Sequence, residues 1–343
     1  GETSNNGVNS LARAGDVITT TFTSTDTVTS VTIGGHTVTA TPVIGQANTY
    51  TASYTVQTND SGPTNVVVTS IDAAGNTATE TFNGLVTIDT VAPTITINGE
   101  ASNNATTTLA KAGDVITTTF TSTDPVTSVT IGGHTVTATP VIGQANTYTA
   151  SYTVQTSDNA GSTNVVVRST DAAGNTATQT FNGLVTIDTV APTATITVND
   201  ITADNLININ EFYGSDLPVT GTVSGDAHVG DVITLTVGTH TYTGTVAADL
   251  TYSIDVPADV LAGSSQVTAS ITTTDAAGNS STANSTHTFN TDLLAPTITI
   301  NGETSNNGVN SLARAGDVIT TTFTSTDTVT SVTIGGHTVT ATP

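Results

Sequence analysis

Thr163-Asn-Val-Val-Val-Arg-Ser-Thr-Asp-Ala-Ala-Gly-Asn-Thr176 is the stretch that decides the fold. Val165 and Val167 lie on one face of an extended run and mostly polar residues on the other, the period of a strand buried on one side. The run stops at Asp171-Ala-Ala-Gly-Asn175, a turn in which Asp bonds its own backbone and Gly takes a positive φ. A second long run, Thr176–Ile187, follows, so the stretch predicts an antiparallel hairpin. The same turn starts at Asp72 and Asp275, and Ala-Pro-Thr recurs at 92–94, 191–193 and 295–297. Both markers are spaced by 99 and then 104 residues, which makes the chain a tandem array of modules.

Outward from the hairpin, the module at 94–192 divides into runs bounded by Gly, Asn, Asp and Pro. They predict strand A at Thr94–Asn98, B at Asp114–Ser122, C at Val126–Gly132 and C′ at His134–Ile142, then E at Thr147–Gln155, F at Thr163–Thr170 and G at Thr176–Ile187. Such short strands with frequent turns predict an all-β, immunoglobulin-like antiparallel sandwich. Ile116 and Phe120 on B, Tyr148, Ala150 and Tyr152 on E, and Val165 and Val167 on F form the expected core. If every strand reverses direction, the A–B, C–C′ and E–F loops gather at a trailing pole. The B–C and F–G turns gather at the leading pole, where strand A begins. The chain then enters and leaves at opposite poles, so modules follow end to end as a rod.

The expected modules are 1–93, lacking its first strand because Gly1 aligns with Gly99; 94–192; 193–296, a divergent copy; and 297–343, the N-terminal half of another. Residues 302–343 repeat 1–42 letter for letter, a period of 301 residues, so the chain reads as a piece of a longer array. In the divergent module Gly230-Asp-Val-Ile-Thr234 looks like Gly113-Asp-Val-Ile-Thr117 of strand B. The offsets of its Gly-x-His hairpin and its turn place that string on strand C instead, with strand B at Pro218–Val223. An acidic, Asn-rich insert, Asp200–Glu211, separates its A and B strands.

Charged residues make up 9% of the chain, far below the ~25% of ordinary domains. Thr, Ser and Asn replace them, as suits the polar faces of strands. The 27 acids face only Arg13, Lys111, Arg168 and Arg314, a net charge of −23. That charge repels phosphates and anionic lipid, which excludes nucleic acid and direct membrane insertion, and makes divalent cations the natural counter-charge. Without cysteine there is neither disulfide nor thiolate chemistry.

Strand parity brings each F–G turn against the acidic linker of the preceding module. Asp89, Asp188 and Asp292 precede the Ala-Pro steps, Asp171 and Asp275 open the turns, and Asp124, Asp226 and Asp327 lie in B–C loops. Three acids from separate segments would repel one another unless a Ca2+ ion, with about six to eight oxygen ligands, bridged them. They are the expected metal ligands, with turn formation alone as the alternative for Asp-Ala-Ala-Gly-Asn. Asp204 and Glu211 of the insert are further candidates, although the insert lacks the order of an EF-hand loop and a short capped helical turn also explains it. The six His residues form no zinc set, and His36, His134, His240 and His337, which follow hairpin glycines, are expected to face solvent. With no nucleophile elbow or Gly-rich phosphate loop, no catalytic residue and no enzyme are expected.

The Asp-Thr-Val-Ala-Pro-Thr linkers and Thr-Asp-Ala-Ala-Gly-Asn turns resemble the bacterial Ig-like tandem repeats of giant RTX-type surface adhesins. So do Val229–Val237, Tyr242–Val246 and Tyr252–Pro257, and the resemblance spans essentially the whole chain, most strongly Thr193–Thr297. It implies export by type I secretion, an extracellular place at the bacterial surface and a shaft stiffened by Ca2+ near module junctions. That points to Asp89, Asp188 and Asp292 with Asp171 and Asp275. The implied partners are neighbouring modules of the same chain and a host or surface ligand bound by a tip region outside these residues. The first two modules depart from the commoner pattern in lacking the acidic insert.

The expected function is a structural extender. The alternative is a segment of a self-assembling extracellular matrix or surface-layer filament, in which modules pair laterally or exchange strands. A lectin-like module would need exposed aromatic clusters, which a chain with 4% aromatics, most of them core candidates, does not supply. A continuing array should read Val-Ile-Gly-Gln after Pro343, as it does after Pro42. Sequencing onward tests this, and any other tetrapeptide breaks the long period.

Overall fold

The computed structural model describes residues 1–309 and 311–342; position 310, and position 343 where the fourth expected module ends, lie outside the described residues. The chain forms two compact units, Gly1–Val190 with Asp275–Asn279, and Ala191–Thr274 with Ser280 onward.

The first unit begins with β1 (Glu2–Ser4), β2 (Leu11–Ala12), β3 (Val17–Thr23), β4 (Thr27–Ile33), β5 (His36–Val38), β6 (Thr41–Pro42), β7 (Thr49–Thr55), β8 (Gly62–Ile71) and β9 (Thr77–Ile88). They form two sheets, ordered β1-β3-β7-β6 and β2-β9-β8-β4-β5. The pattern recurs in β10 (Ile95–Ser102), β11 (Leu109–Ala110), β12 (Val115–Ser122), β13 (Val126–Ile131), β14 (His134–Val136), β15 (Thr139–Pro140), β16 (Thr147–Thr153), β17 (Gly161–Thr170) and β18 (Thr176–Ile187). Its sheets run β10-β12-β16-β15 and β11-β18-β17-β13-β14. Each pair of sheets closes on its own core, one around Ile18, Ile33 and Val66 and the other around Ile116, Phe120, Ile131 and Val165. The aliphatic residues of β12 and β17 are buried on alternate positions because the strand period puts them on one face. Tyr148 and Tyr152 are only partly buried and pack at the margin of that core.

The path departs from the expected strands in two places. Strand C′ ends at Val136, and the chain then crosses to the opposite sheet, where β15 pairs with β16. Pro140 suits this two-residue edge because it has no N–H to leave unpaired, and Ile142 beyond it is fully exposed. The first strand, in turn, runs past Asn98 to Ser102 through a bulge between Ile97 and Gly99. A loop later, β11 pairs in parallel with β18 in the other sheet. Because Gly1 corresponds to Gly99, β1 is the second half of this bulged strand. The 1–93 segment therefore retains part of its first strand, paired from Glu2↔Thr20 to Ser4↔Ile18, contrary to the expectation that it lacked one.

The bulged strand carries a buried carboxylate, Glu100, 7% exposed. Oε1 accepts a 2.7 Å hydrogen bond from the Thr163 hydroxyl, and Oε2 accepts from the backbone N–H of Leu184 at 3.0 Å and of Val185 at 3.4 Å. These donors are available because the β17/β18 register slips between Ser162 and Asn164, freeing amides from the ladder. A charge removed from water is tolerable only when it is so bonded. Glu2 makes the same contacts to Thr64, Leu85 and Val86. Gly183 permits the close approach: a Cβ there would lie 1.4 Å from the Thr163 carbonyl oxygen and 2.7 Å from Glu100 Oε2.

The second unit contains β19 (Ala194–Ile196), β20 (Leu206–Asn208), α1 (Ile209–Phe212), β21 (Leu217–Gly225), β22 (Val232–Val237), β23 (His240–Thr245), β24 (Thr251–Val256), α2 (Ala258–Ala262), β25 (Gln266–Thr274), β26 (Ser280–Thr288) and β27 (Asn290–Asp292). The Gly230–Thr234 string leads into β22, which pairs with the hairpin strand β23 and with β25, the position that β13 holds in the preceding sandwich. The insert folds into β20, parallel to β27, and into the one-turn helix α1. Asn208 and Glu211 close a reciprocal capping box at its start. The core includes Ile207, Leu235, Tyr252, Leu261 and Ile271. The last residues form β28 (Ile298–Ser305) with β29 (Ile319–Ser325) and β30 (Val332–Ile334) with β31 (His337–Val339).

Gly183→Ala should destabilise its sandwich by about 3 kcal/mol, because the backbone at Thr163 must move and Glu100 loses donors. Calorimetry of the full chain should show one transition lowered and the others in place.

Candidate functional site at the module joints

The Asp-Ala-Ala-Gly-Asn segments are closed turns. In Asp171–Asn175 the Asn175 N–H donates to Asp171 Oδ1 and its side-chain amide to Oδ2, both at 2.8 Å. Gly174 has φ +87°, a conformation that L side chains rarely adopt. The Asp72 turn is built alike, and the Asn76 side chain and backbone hold the Asp72 carboxyl below its ordinary range.

Neighbouring segments meet these turns directly within the first unit. Asn175 Nδ2 donates to the Asp89 carbonyl at 2.8 Å, so the turn sits against the linker before its own sandwich. From the loop between β1 and β2, Asn6 Nδ2 donates to the Ala173 carbonyl at 2.8 Å, and the Arg13 guanidinium, just past β2, to that of Gly174. The pattern recurs at Asp275–Asn279. Asn279 Nδ2 donates to the Asp188 carbonyl at 2.8 Å, Asn104 Nδ2 to that of Ala277 at 2.8 Å, and Lys111 Nζ to that of Gly278 at 2.6 Å. Asp16 and Asp114 orient the donors: each accepts from the Asn side-chain amide and from the backbone N–H of Arg13 or Lys111.

The expected metal ligands are distributed differently. Among the described residues no three His, Asp or Glu side chains come close enough to hold a metal ion. The carboxylates are engaged locally. Asp89, Asp188 and Asp292 each accept from the backbone N–H two residues on. Asp171 and Asp275 bond their turn asparagines. Asp124 and Asp327 accept from the preceding threonine hydroxyl, and Asp226 from Thr193. In the insert Asp204 accepts from Thr202 and Leu206, while Glu211 Oε2 accepts from the Asn208 N–H at the helix start. What meets at the two joints is a carbonyl pair with amide and cationic donors. The clue in the sequence was that Arg13, Lys111 and Arg314 occupy equivalent loop positions in a chain with only four cations.

A second repeated cluster is built on the hairpin histidines His36 and His134. His134 stacks on Tyr152, centroids 4.3 Å apart, and its Nε2 lies 3.2 Å from Asp158, whose other oxygen accepts from the Tyr152 hydroxyl at 2.8 Å. His36, Tyr54 and Asp60 repeat it. These histidines are half exposed and partnered, where the spacing suggested open solvent. Burial, then the bond to and charge of the neighbouring aspartate, push both tyrosines up to about 12. Burial pushes Asp60 and Asp158 up, but the tyrosine hydroxyl, the Gln57 or Gln155 N–H and the histidine together hold them below 3.8.

Residues 48–155 match the family of the bacterial Ig-like domain, group 3. A Ca2+-stabilised adhesin that helps an Antarctic bacterium reach out and bind ice is 32% identical, over 88% of this chain and 76% of that one, with a TM-score of 0.54. The chain belongs to the bacterial Ig-like domains. The matched stretch starts with the strand β7 of one Ig-like domain and ends just after β16 of the next, so it spans the joint between them. A 1.5-MDa bacterial ice-binding adhesin concerned in host cell surface retention is 29% identical over 83% of this chain and 95% of that one, TM-score 0.49. An Ig-like domain of the M. primoryensis ice-binding adhesin is 39% identical over 30% and 98%, TM-score 0.28. No curated protein matches the chain. No helix among the described residues is long and apolar enough to cross a membrane.

Asp158→Asn should destabilise its Ig-like domain by about 1–2 kcal/mol through the weakened bonds to Tyr152 and Gln155. Because Asp60 and Asp158 titrate low in the folded state, their stabilisation is complete above the unfolded value and is lost as pH falls from 3.8 through the folded value. Urea titrations of the parent from pH 6 to 3 should show that decline, and Asp60→Asn/Asp158→Asn should flatten it.

Proposed function

We propose that this chain is an extender segment of a bacterial cell-surface adhesin, a shaft whose Ig-like domains follow end to end and hold an adhesive region away from the cell. The role is mechanical rather than catalytic, and its place is extracellular. The observation that carries the reading is the repeated, direct bonding of the Asp-Ala-Ala-Gly-Asn turns at Asp171 and Asp275 to the linker before them and to a loop of the preceding sandwich. A shaft needs joints of defined angle, and three hydrogen bonds from separate segments supply one. Membership of the family and the 32% identity to an adhesin that reaches out to bind ice support it. Reach then grows with copy number, as in other linear arrays.

Calcium at the acids named above is a second reading for the joints. It is favoured by the description of that relative as Ca2+-stabilised and by the net charge of −23. Small-angle scattering separates the two. The extended reading expects a maximum dimension near the summed length of the domains, at about 3.3 Å per strand residue. A collapse of that dimension in chelator supports calcium, an unchanged one removes it, and a compact particle in both conditions sinks the shaft.

A further inference from the structure

The structure assigns to Arg13 and Lys111 the role of an inter-domain latch, in which a basic side chain of one Ig-like domain caps the turn of the next where a bound cation would otherwise be needed. The inference rests on the shaft reading and says what holds its joints. Arg13 and Lys111 both follow the short parallel strands β2 and β11, and both donate to the glycine carbonyl of an Asp-Ala-Ala-Gly-Asn turn. Asn6 and Asn104 take the alanine carbonyl one residue earlier. Two adjacent carbonyls at a tight turn point out of the sandwich with no strand to satisfy them, and a charge-assisted donor is the strong way to do so.

Ala173 and Ala277, the alanines of the two latched turns, are 1% and 2% exposed. A Cβ on Gly174 would lie 3.4 Å from the Arg13 guanidinium, and one on Gly278 3.2 Å from Lys111 Nζ. Turn and latch thus fit each other with no room to spare. Position-matched Arg314 stands in the same frame: its N–H donates to Asp317 Oδ2 at 2.9 Å, and Asn307 Nδ2 donates to the same oxygen at 2.8 Å. The remaining cation, Arg168, bonds Thr178 across its own sheet and takes no part.

The absence of cysteine makes the test direct, since spin labels can be placed at will. Labels at Glu80→Cys and Gln179→Cys, both exposed on the last strands of adjacent domains, report the joint as a distance distribution. In the full chain that distribution should be narrow with or without chelator. Asn6→Ala/Arg13→Ala should broaden it at least twofold, Arg13→Lys should restore most of the narrowing, and Arg168→Ala should leave it unchanged. An unchanged width in Asn6→Ala/Arg13→Ala, with its calorimetric transitions intact, would overturn the latch, as would broadening of the parent by chelator to the same extent. A broad distribution in the unaltered protein would overturn the shaft reading together with the latch.

Discussion

A glycine at positive φ, pinned between an aspartate and the asparagine four residues on, reverses the chain at one end of each complete sandwich. Two levels of structure depend on that turn. Inside the domain it sets the pairing of the two long strands that follow and precede it, β17 with β18 and β25 with β26, and so which valines face the core. Outside, it leaves two carbonyls facing away from the sheet, and these accept the side chains of another segment. Local backbone geometry therefore fixes both the fold and the manner of joining.

The low share of charged residues has a related logic. Polar strand faces are tiled with threonine and serine hydroxyls that bond across strands, as Thr117 with Ser151 and Thr272 with Thr282, and these need no counter-ions. Against that background the few charged groups inside the fold do particular tasks. Glu100 and Glu2 tie the first strand of one sheet to a bulge in the other, and three of the four basic residues sit on equivalent loops. The excess of acid lies mostly in bends that use their own carboxylates.

Much of the sandwich was legible because its signals are local. Val165 and Val167 alternate, glycine marks the turn, and the offsets of the hairpin and the turn place the string at Gly230–Thr234 on strand C rather than B. The crossing of Thr139–Pro140 to the opposite sheet was not legible, since a polar two-residue edge carries no periodicity. Glu100 was also hidden: a glutamate on a polar strand reads as solvent-facing. Gly183, a glycine inside a long strand, was the sign that something approached its backbone closely. At the joints strand parity places the turn and the linker together, but side-chain partners across a joint depend on two loops at once, which no local spacing records.

The parallel pairing of β11 with β18 bears on force. A domain in an anchored chain is pulled at its two ends, through the strand that opens it and the strand that closes it. Because β11 is tethered to the opening strand and lies alongside the closing one in the same direction, tension drives the two past each other lengthwise. Their hydrogen bonds are then strained together instead of being peeled apart singly, so a two-residue strand on the longest strand of the sandwich sits where a tug would have to break it open.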